Sequence, residues 1–351
     1  MTTLAFPDTT GQPTDGSFTY EENGVIYSWT GEYWAANNAQ GFDQRYVNAD
    51  GDTMTGDLTV PSLNGGPLAG FRNQIINGDF RVWQRGTSFN LPSGDNNNAY
   101  TADRWYTASG VQCRQFDANA PAGFTNCWNH QGGAGNVGQL IELDDTNGKQ
   151  DRFAAGTTWT MSVWSTANLT DGNHNFTAQW VESPLANQIQ IATGAWIPTG
   201  ESSNGFNRYR FTFPINTAIG ATQSALHVFW VFPGESAWYT GAQLEPGPVA
   251  TPFEHRPIGT ELAMCQRYYT SMIGATAYSA PANNMTFSTF ITFPTTLRVS
   301  PSIELSGGSD SNVTDISAIG GVDKTGFVMG AKSVLSGYSS FSRNLAIDAE
   351  L

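Results

Sequence analysis

The chain has 351 residues with 16 basic and 30 acidic side chains, a formal net charge of −14 and a pI near 4.5. That balance repels a nucleic-acid backbone and an anionic membrane surface, and no apolar run approaches the roughly 20 residues that span a bilayer. Charged residues make up only 13% and aromatic residues another 13%, against about a quarter charged in ordinary domains, so solubility rests on Asn, Gln, Ser, Thr and Gly. With Lys149, Lys324 and Lys332 as the only lysines, Glu/Lys helical surfaces are excluded and an all-β chain rich in turns is expected. Cys113, Cys127 and Cys265 have no CxxC spacing, which speaks against a cysteine metal site and for reduced thiols. A Cys113–Cys127 bridge is sterically possible. The first residues show neither a basic nor an apolar signal segment, so folding in a cytosol is expected.

Residues 1–40 contain GVIYSWTGEYWAA, two aromatic alternating runs around Thr30-Gly31, which predicts a hairpin with Tyr27 opposite Trp34. A lone hairpin is marginal in water. Either its rings staple it, or Tyr27, Trp29, Tyr33 and Trp34 dock on a larger body. Residues 41–70 are rich in Gly, Asp and Thr and predict a linker or an intertwined stem. Within it, Asn48–Asp52 has the look of a calcium loop but lacks the closing carboxylate. Turn chemistry is the better reading, and no metal or other cofactor is expected.

Residues 71–257 read as strand after strand. Ile76, Gly78, Phe80 and Val82 alternate, as do Val137, Gln139, Ile141 and Leu143; Trp159, Met161 and Val163; Phe176, Ala178 and Trp180; and Tyr209, Phe211 and Phe213. Residues 224–232, SALHVFWVF, are apolar on both faces, as in a strand between two layers. Trp238, Thr240, Ala242 and Leu244 share one face of a further strand. Roughly eight or nine antiparallel strands predict a jelly-roll β-sandwich. Pro246, Pro248, Pro252 and Pro257 then force an extended connector. After Gly259 the period turns helical, with Leu262, Cys265 and Tyr269 on one face and Thr260-Glu261 near the start. Residues 258–351 are therefore a short helix plus a small β domain, with Met285, Phe287, Ile291 and Phe293 alternating, then Leu345, Ile347, Ala349 and Leu351.

The order QLE, ATPFE and CQRYY within 241–269 resembles the tail fibre proteins of tailed bacteriophages. NGDFRVWQRG (77–86) followed by YTADRWY (100–106) is similar to the opening of the carbohydrate-binding-like domain of such fibres, and YVNADGDTMTGDLT (46–59) to the connecting motif before it. The resemblance covers about residues 42–300. It implies a jelly-roll fold, a homotrimer, and a virion tail protein assembled in the host cytoplasm. It also implies partners in phage tail, baseplate or adaptor proteins and in host surface polysaccharide. The expected organisation is a virion-anchoring hairpin (1–40), a stem (41–70), a carbohydrate-binding-like jelly roll (71–257) and a C-terminal tip (258–351).

Glycan binding needs an aromatic platform and polar groups that fix hydroxyls. Trp164 is the leading candidate, because the register that buries Trp159, Met161 and Val163 turns it outward. Arg208 and Arg210 lie on a polar strand face, and Tyr278 and Tyr338 fall in Ser/Ala/Gly-rich sequence suited to loops. Asp103 and Arg104 read as a structural pair. His130, His174, His227 and His255 are scattered, with His227 expected in a core. No local signature selects a carboxylate pair or a nucleophile, so a non-enzymatic attachment protein is expected. The alternatives are a polysaccharide depolymerase fibre and a purely structural baseplate or decoration protein.

Overall fold

The computed structural model describes residues 6–22, 25–36, 71–91, 99–107, 112–116, 119–143, 153–182, 185–220 and 222–350. The stem at 41–70 with both its motifs, Leu351, and Asp144-Asp145, which read as turn residues before Thr146-Asn147-Gly148, lie outside the described residues. The chain divides into two compact units, Met1–Val60 and Pro61–Leu351.

In the first unit the hairpin gains a third strand. β1 (Thr19–Glu22), β2 (Val25–Trp29) and β3 (Trp34–Ala36) form an antiparallel sheet. Trp29, not Tyr27, lies opposite Trp34. The expected two-residue turn is a four-residue one, because the Thr30 N–H donates to the Tyr33 carbonyl at 3.1 Å and the Thr30 hydroxyl does so at 3.0 Å. Phe6 stacks on Trp34 with centroids 5.3 Å apart and meets Tyr27 edge-on at 5.0 Å, while Phe18 packs on Trp34 at 5.3 Å. The rings thus staple the sheet. Trp34 and Tyr27 are spent in that cluster, Trp29 is half-buried beside Trp34, and Tyr33 stands 61% exposed.

The second unit begins with an irregular segment, 71–87, and thirteen strands follow it. They are β4 (Ser88–Asn90), β5 (Ala99–Tyr100), β6 (Tyr106–Thr107), β7 (Gln112–Phe116), β8 (Cys127–Gln131), β9 (Gly135–Glu142) and β10 (Thr158–Ser165). Then come β11 (Phe176–Glu182), β12 (Ala186–Gly194), β13 (Ile197–Ser203), β14 (Phe206–Pro214), β15 (Ala225–Phe232) and β16 (Ala237–Pro246). Seven make one sheet in the order β13-β14-β10-β16-β8-β7-β4, and six make the other in the order β12-β11-β15-β9-β6-β5. The crossovers, with β10 between β14 and β16, are those of a jelly-roll sandwich. The expected alternation buries Trp159, Met161, Val163 and Phe213, joined by Trp128 from a strand the spacing did not single out, against Val137, Ile141, Phe176, Trp180 and Val228 from the second sheet. Trp230 links the layers, 5.6 Å from Trp105 and 5.5 Å from Tyr239. Each such ring removes about 150–250 Å² from water, which is where the high aromatic content is used.

The 76–82 alternation does not make a strand. Asn77 and Phe80 sit at φ 57° and 54°, the Phe80 N–H closes a turn on the Asn77 carbonyl at 3.1 Å, and only single backbone bonds reach β16. After the prolines, α1 (Ile258–Gln266) follows, the one α-helix among the described residues; Pro257 is its N-cap and no side chain caps it. Tyr269 does not continue the helix. It opens β17 (Tyr269–Ala280), which leads to β18 (Thr286–Thr292), β19 (Ser302–Ser306), β20 (Asp310–Ser311), β21 (Val313–Gly320), β22 (Gly326–Ser333) and β23 (Gly337–Asp348). β17-β23-β19, with β20 also on β23, and β18-β22-β21 enclose Phe287, Phe293, Leu297, Phe327, Met329, Phe341, Leu345 and Ile347. Met285 departs from its expected inward set at 37% exposed. Among the described residues no helix is long and apolar enough to cross a membrane.

Candidate functional site

The residues that spell the tail-fibre resemblance converge on one another in the interior. Asn73 accepts from Leu244 N at 3.1 Å and Ile75 N at 3.0 Å. Glu245, fully buried, accepts from Thr251 N at 2.9 Å and Gln243 Nε2 at 2.8 Å and pairs with Arg72 at 3.3 Å. Glu254 accepts from Asn73 N at 2.9 Å and donates its own N–H to Gln243 Oε1 at 2.8 Å. Asn77 holds both ends of the Val82 peptide, at 3.0 and 2.8 Å, and donates to the Asp103 carbonyl at 3.0 Å. Glu261, in the first turn of α1, accepts from Asn77 N and pairs with Arg256 at 3.3 Å. Buried polar groups partnered in this way fix geometry, although the Nε of Arg256 has no hydrogen-bond partner among the described residues.

Asp103 and Arg104 do not pair with each other. Arg104, 1% exposed, pairs with Glu350, donates to the Leu140 carbonyl and lies 3.5 Å over the Tyr268 ring. Asp103 instead accepts from Gln84 N at 3.0 Å, with Arg85 at 3.8 Å, and burial raises its pKa to about 6. Cys113 and Cys127 are both free. Cys113 lies in the intersheet core and Cys127 in a cluster with Phe206, and burial pushes both thiols up to about 12. His227 is a core histidine as expected, bonded to the Tyr106 hydroxyl and, at 2.9 Å, to Gln179 Nε2.

The predicted binding residues have different fates. Trp164 is half-buried and is the cross-strand partner of Arg208. Arg208 is not a solvated surface residue: it is 3% exposed and donates to Ser162 Oγ at 3.2 Å, to the Thr251 carbonyl and to Glu201 at 2.9 Å. The proline-rich connector folds back over it. Arg210, half-buried, donates to Thr212 Oγ1 at 3.1 Å. Tyr278 pairs with Ser339 and Tyr338 with Ser279, so the two tyrosines leave opposite faces of the sheet rather than forming one site. Tyr278 stacks on Phe287 at 5.5 Å, and Tyr338 is 65% exposed.

One local irregularity builds a patch that alternation alone would hide. Ser162 pairs with Gln243 but Trp164 pairs with Thr240, so β16 carries one extra residue there. Gly241, at φ +62°, supplies the left-handed position such a bulge takes. The bulge reverses the expected facing: Tyr239 and Ala242 point into the core with Leu244, while Trp238 turns outward. A Cβ on Gly241 would stand 2.7 Å from Phe124 and 2.8 Å from Trp164, so these two rings flank bare backbone. Phe124 in turn lies 5.1 Å from Phe253 and 5.2 Å from His255. Trp164, Trp238, Phe124 and Phe253 are half-buried, and His255 is exposed. Thr125 and Asn126 border the patch in the same loop as Phe124. The sequence signal that could have found it is a glycine inside a strand pattern, which often marks a bulge.

Among the described residues no group of three or more His, Cys, Asp or Glu is placed to hold a metal. No protein-family model and no curated protein matches the chain. Among solved structures, the enzymatically active domain of bacteriophage CBA120 tailspike protein 4 is similar at 12% identity and TM-score 0.30, over 51% of this chain and 22% of that one. The C-terminal family 22 carbohydrate-binding module of Clostridium thermocellum Xyn10B is similar at 10% identity and TM-score 0.29, over 45% of this chain and 99% of that one. A CBM4 module is similar at 13% identity and TM-score 0.27, over 41% and 94%. Likeness this weak assigns no function.

Proposed function

We propose that this protein is a non-enzymatic attachment protein of a bacteriophage tail that binds host-surface glycan at the patch formed by Trp164, Trp238, Phe124 and Phe253. The observation that carries the reading is the pair of rings on either side of Gly241, continued by Phe253 and His255. A pyranose presents an apolar C–H face that a half-open aromatic ring can cover, while its rim hydroxyls need short polar partners. Thr125, Asn126 and His255 supply such partners at the edge. Support for the tail assignment is the sequence resemblance, and oligomerisation as a trimer goes with it.

The test is adsorption to host cells and competition with infection by the soluble protein, comparing wild type with Trp164→Ala/Phe253→Ala. Removing two platform rings is expected to weaken adsorption by roughly tenfold or more while the melting temperature shows the sandwich intact. A folded double variant that adsorbs like wild type, or a wild type that neither adsorbs nor competes, refutes the reading. The second outcome favours a purely structural role. Release of reducing ends from host polysaccharide would replace it with a depolymerase.

A further inference from the structure

The open edge of a sheet is a row of backbone N–H and C=O groups that pairs with any strand it meets, and proteins blunt it by shortness, charge, proline or a bulge. The edge strands here carry such devices, with two exceptions. β3, β4, β5 and β20 have only two or three residues. β1 carries Glu21 and Glu22, and β19 carries Glu304. β13 contains Pro198 and a register shift, and β12 and β21 are each interrupted by two shifts. β17 and β18 have none of these. Among the described residues β17 pairs with β23 alone, in unbroken register from Tyr269 to Ala280, and β18 pairs with β22 alone from Thr286 to Thr292.

The two strands lie side by side. Tyr278 of β17 stacks on Phe287 of β18 with centroids 5.5 Å apart, and each strand is the outermost of its sheet, so together they form one side of the C-terminal β domain. From Tyr268 to Leu297 the chain has no Asp, Glu, Lys, Arg or His, although its net charge is −14. Ile273, 72% exposed, and Phe290, 53% exposed, stand on the outward rows of β17 and β18, with Ala275 and Ala277 exposed on the Ile273 row. On the strands behind, Lys332 pairs with Asp315 at 3.6 Å and Arg343 pairs with Asp310. Charge decides what covers this side. Two copies that each carry −14 repel wherever acidic surfaces meet, and a charge-free side is where their approach costs least. A foreign basic partner would be drawn by facing carboxylates, and this side presents none. At about 3.4 Å per residue β17 is about 40 Å long, and packed sheets stand about 10 Å apart. That makes roughly 400 Å² before the outward rows are added, of the order of the ~800 Å² per partner in a standard interface.

We propose that copies of this chain associate through the side formed by β17 and β18, with the β17 row of each copy facing the β18 row of the next in a closed ring. The inference rests on the reading above only for the number of copies, three, and not on the aromatic patch. The test is sedimentation equilibrium of the full chain, a 37.9 kDa protomer, across the micromolar range. Wild type is expected to assemble, with a melting temperature that rises with chain concentration. Ile273→Lys/Phe290→Lys puts on both rows the charge that other edges use, and should weaken assembly at least about tenfold with circular dichroism unchanged. Ala277→Lys, on the same outward row of β17, gives the same readout if the double variant does not fold. Ile197→Lys, at a position 49% exposed on β13, should leave assembly as in wild type. A wild-type monomer throughout that range overturns the inference. So does assembly unchanged in folded lysine variants of β17 and β18, which would place the contact on another face, and so does an equal loss in Ile197→Lys. Adsorption lost with assembly intact refutes the glycan reading and leaves this contact standing; assembly lost in wild type refutes the contact and leaves the patch to its own test.

Discussion

At the scale of single residues, two buried titratable groups give the fold opposite responses to pH. Burial holds the His227 pKa down at about 3 against an ordinary 6.5. The unfolded chain binds that proton first, so the stability His227 contributes is complete above pH 6.5 and is lost as pH falls toward 3. Asp103 is raised to about 6 from 3.8, chiefly by desolvation. Its contribution is complete below 3.8 and lost as pH rises through 6. Between those limits the two slopes oppose, and the wild-type profile alone would conceal both. His227→Gln keeps a polar side chain beside Tyr106 and Gln179 but removes one slope. Its melting temperature relative to wild type should therefore rise steadily from pH 7 to pH 4. A difference that stays flat across that range would show that His227 does not titrate with folding.

At the scale of elements, the sequence is legible wherever one strand face meets the core and the spacing of two is unbroken. Trp159, Met161 and Val163, or Phe176, Ala178 and Trp180, point inward as the alternation requires. The readings that failed share a cause: backbone conformations the spacing does not encode. Residues 76–82 alternate, yet Asn77 and Phe80 are left-handed and the segment is coil. β16 keeps its hydrophobic pattern, but the extra residue at Gly241 exchanges its faces. Arg208 reads as part of an open polar strand face because the connector that covers it is distant in sequence and held there by Glu245 and Thr251. The candidate patch was half legible for the same reason: Trp164 could be named from register, whereas Phe124 and Phe253 reach it from loops. Gly241→Ala tests this directly. A side chain there is strained at φ +62° and would press both Phe124 and Trp164, so a loss of about 1–3 kcal/mol is expected, measured by denaturant unfolding. Adsorption should weaken in the same variant. A variant as stable as wild type would mean the bulge relaxes, and the patch would not depend on bare backbone.

At the scale of the whole molecule, each compact unit has its own means of staying folded. Residues within Met1–Val60 rely on one sheet and the rings of Phe6, Phe18, Tyr27 and Trp34. Within Pro61–Leu351, the sandwich and the sheets after α1 are fastened together. Gln84 donates to the Tyr269 carbonyl at 2.8 Å, Arg85 reaches Asp348 at 3.2 Å and Glu350 at 3.3 Å, and Arg104 is buried against Glu350. Breaking a buried pair of the last kind typically costs about 3–5 kcal/mol, so the C-terminal sheets should unfold with the sandwich and not as a loose tip. If virion docking belongs to Tyr33 and its neighbours while recognition belongs to the second unit, the two functions separate at the boundary. Deleting residues 1–60 should leave the main melting transition within a few degrees of the full chain and leave adsorption intact. Incorporation into particles should be abolished, and Tyr33→Ala/Trp29→Ala should reduce it without changing the main melting transition. Truncated chains that still assemble at normal copy number would move the docking surface elsewhere. Truncated chains that melt normally yet no longer adsorb would place recognition in the first sixty residues.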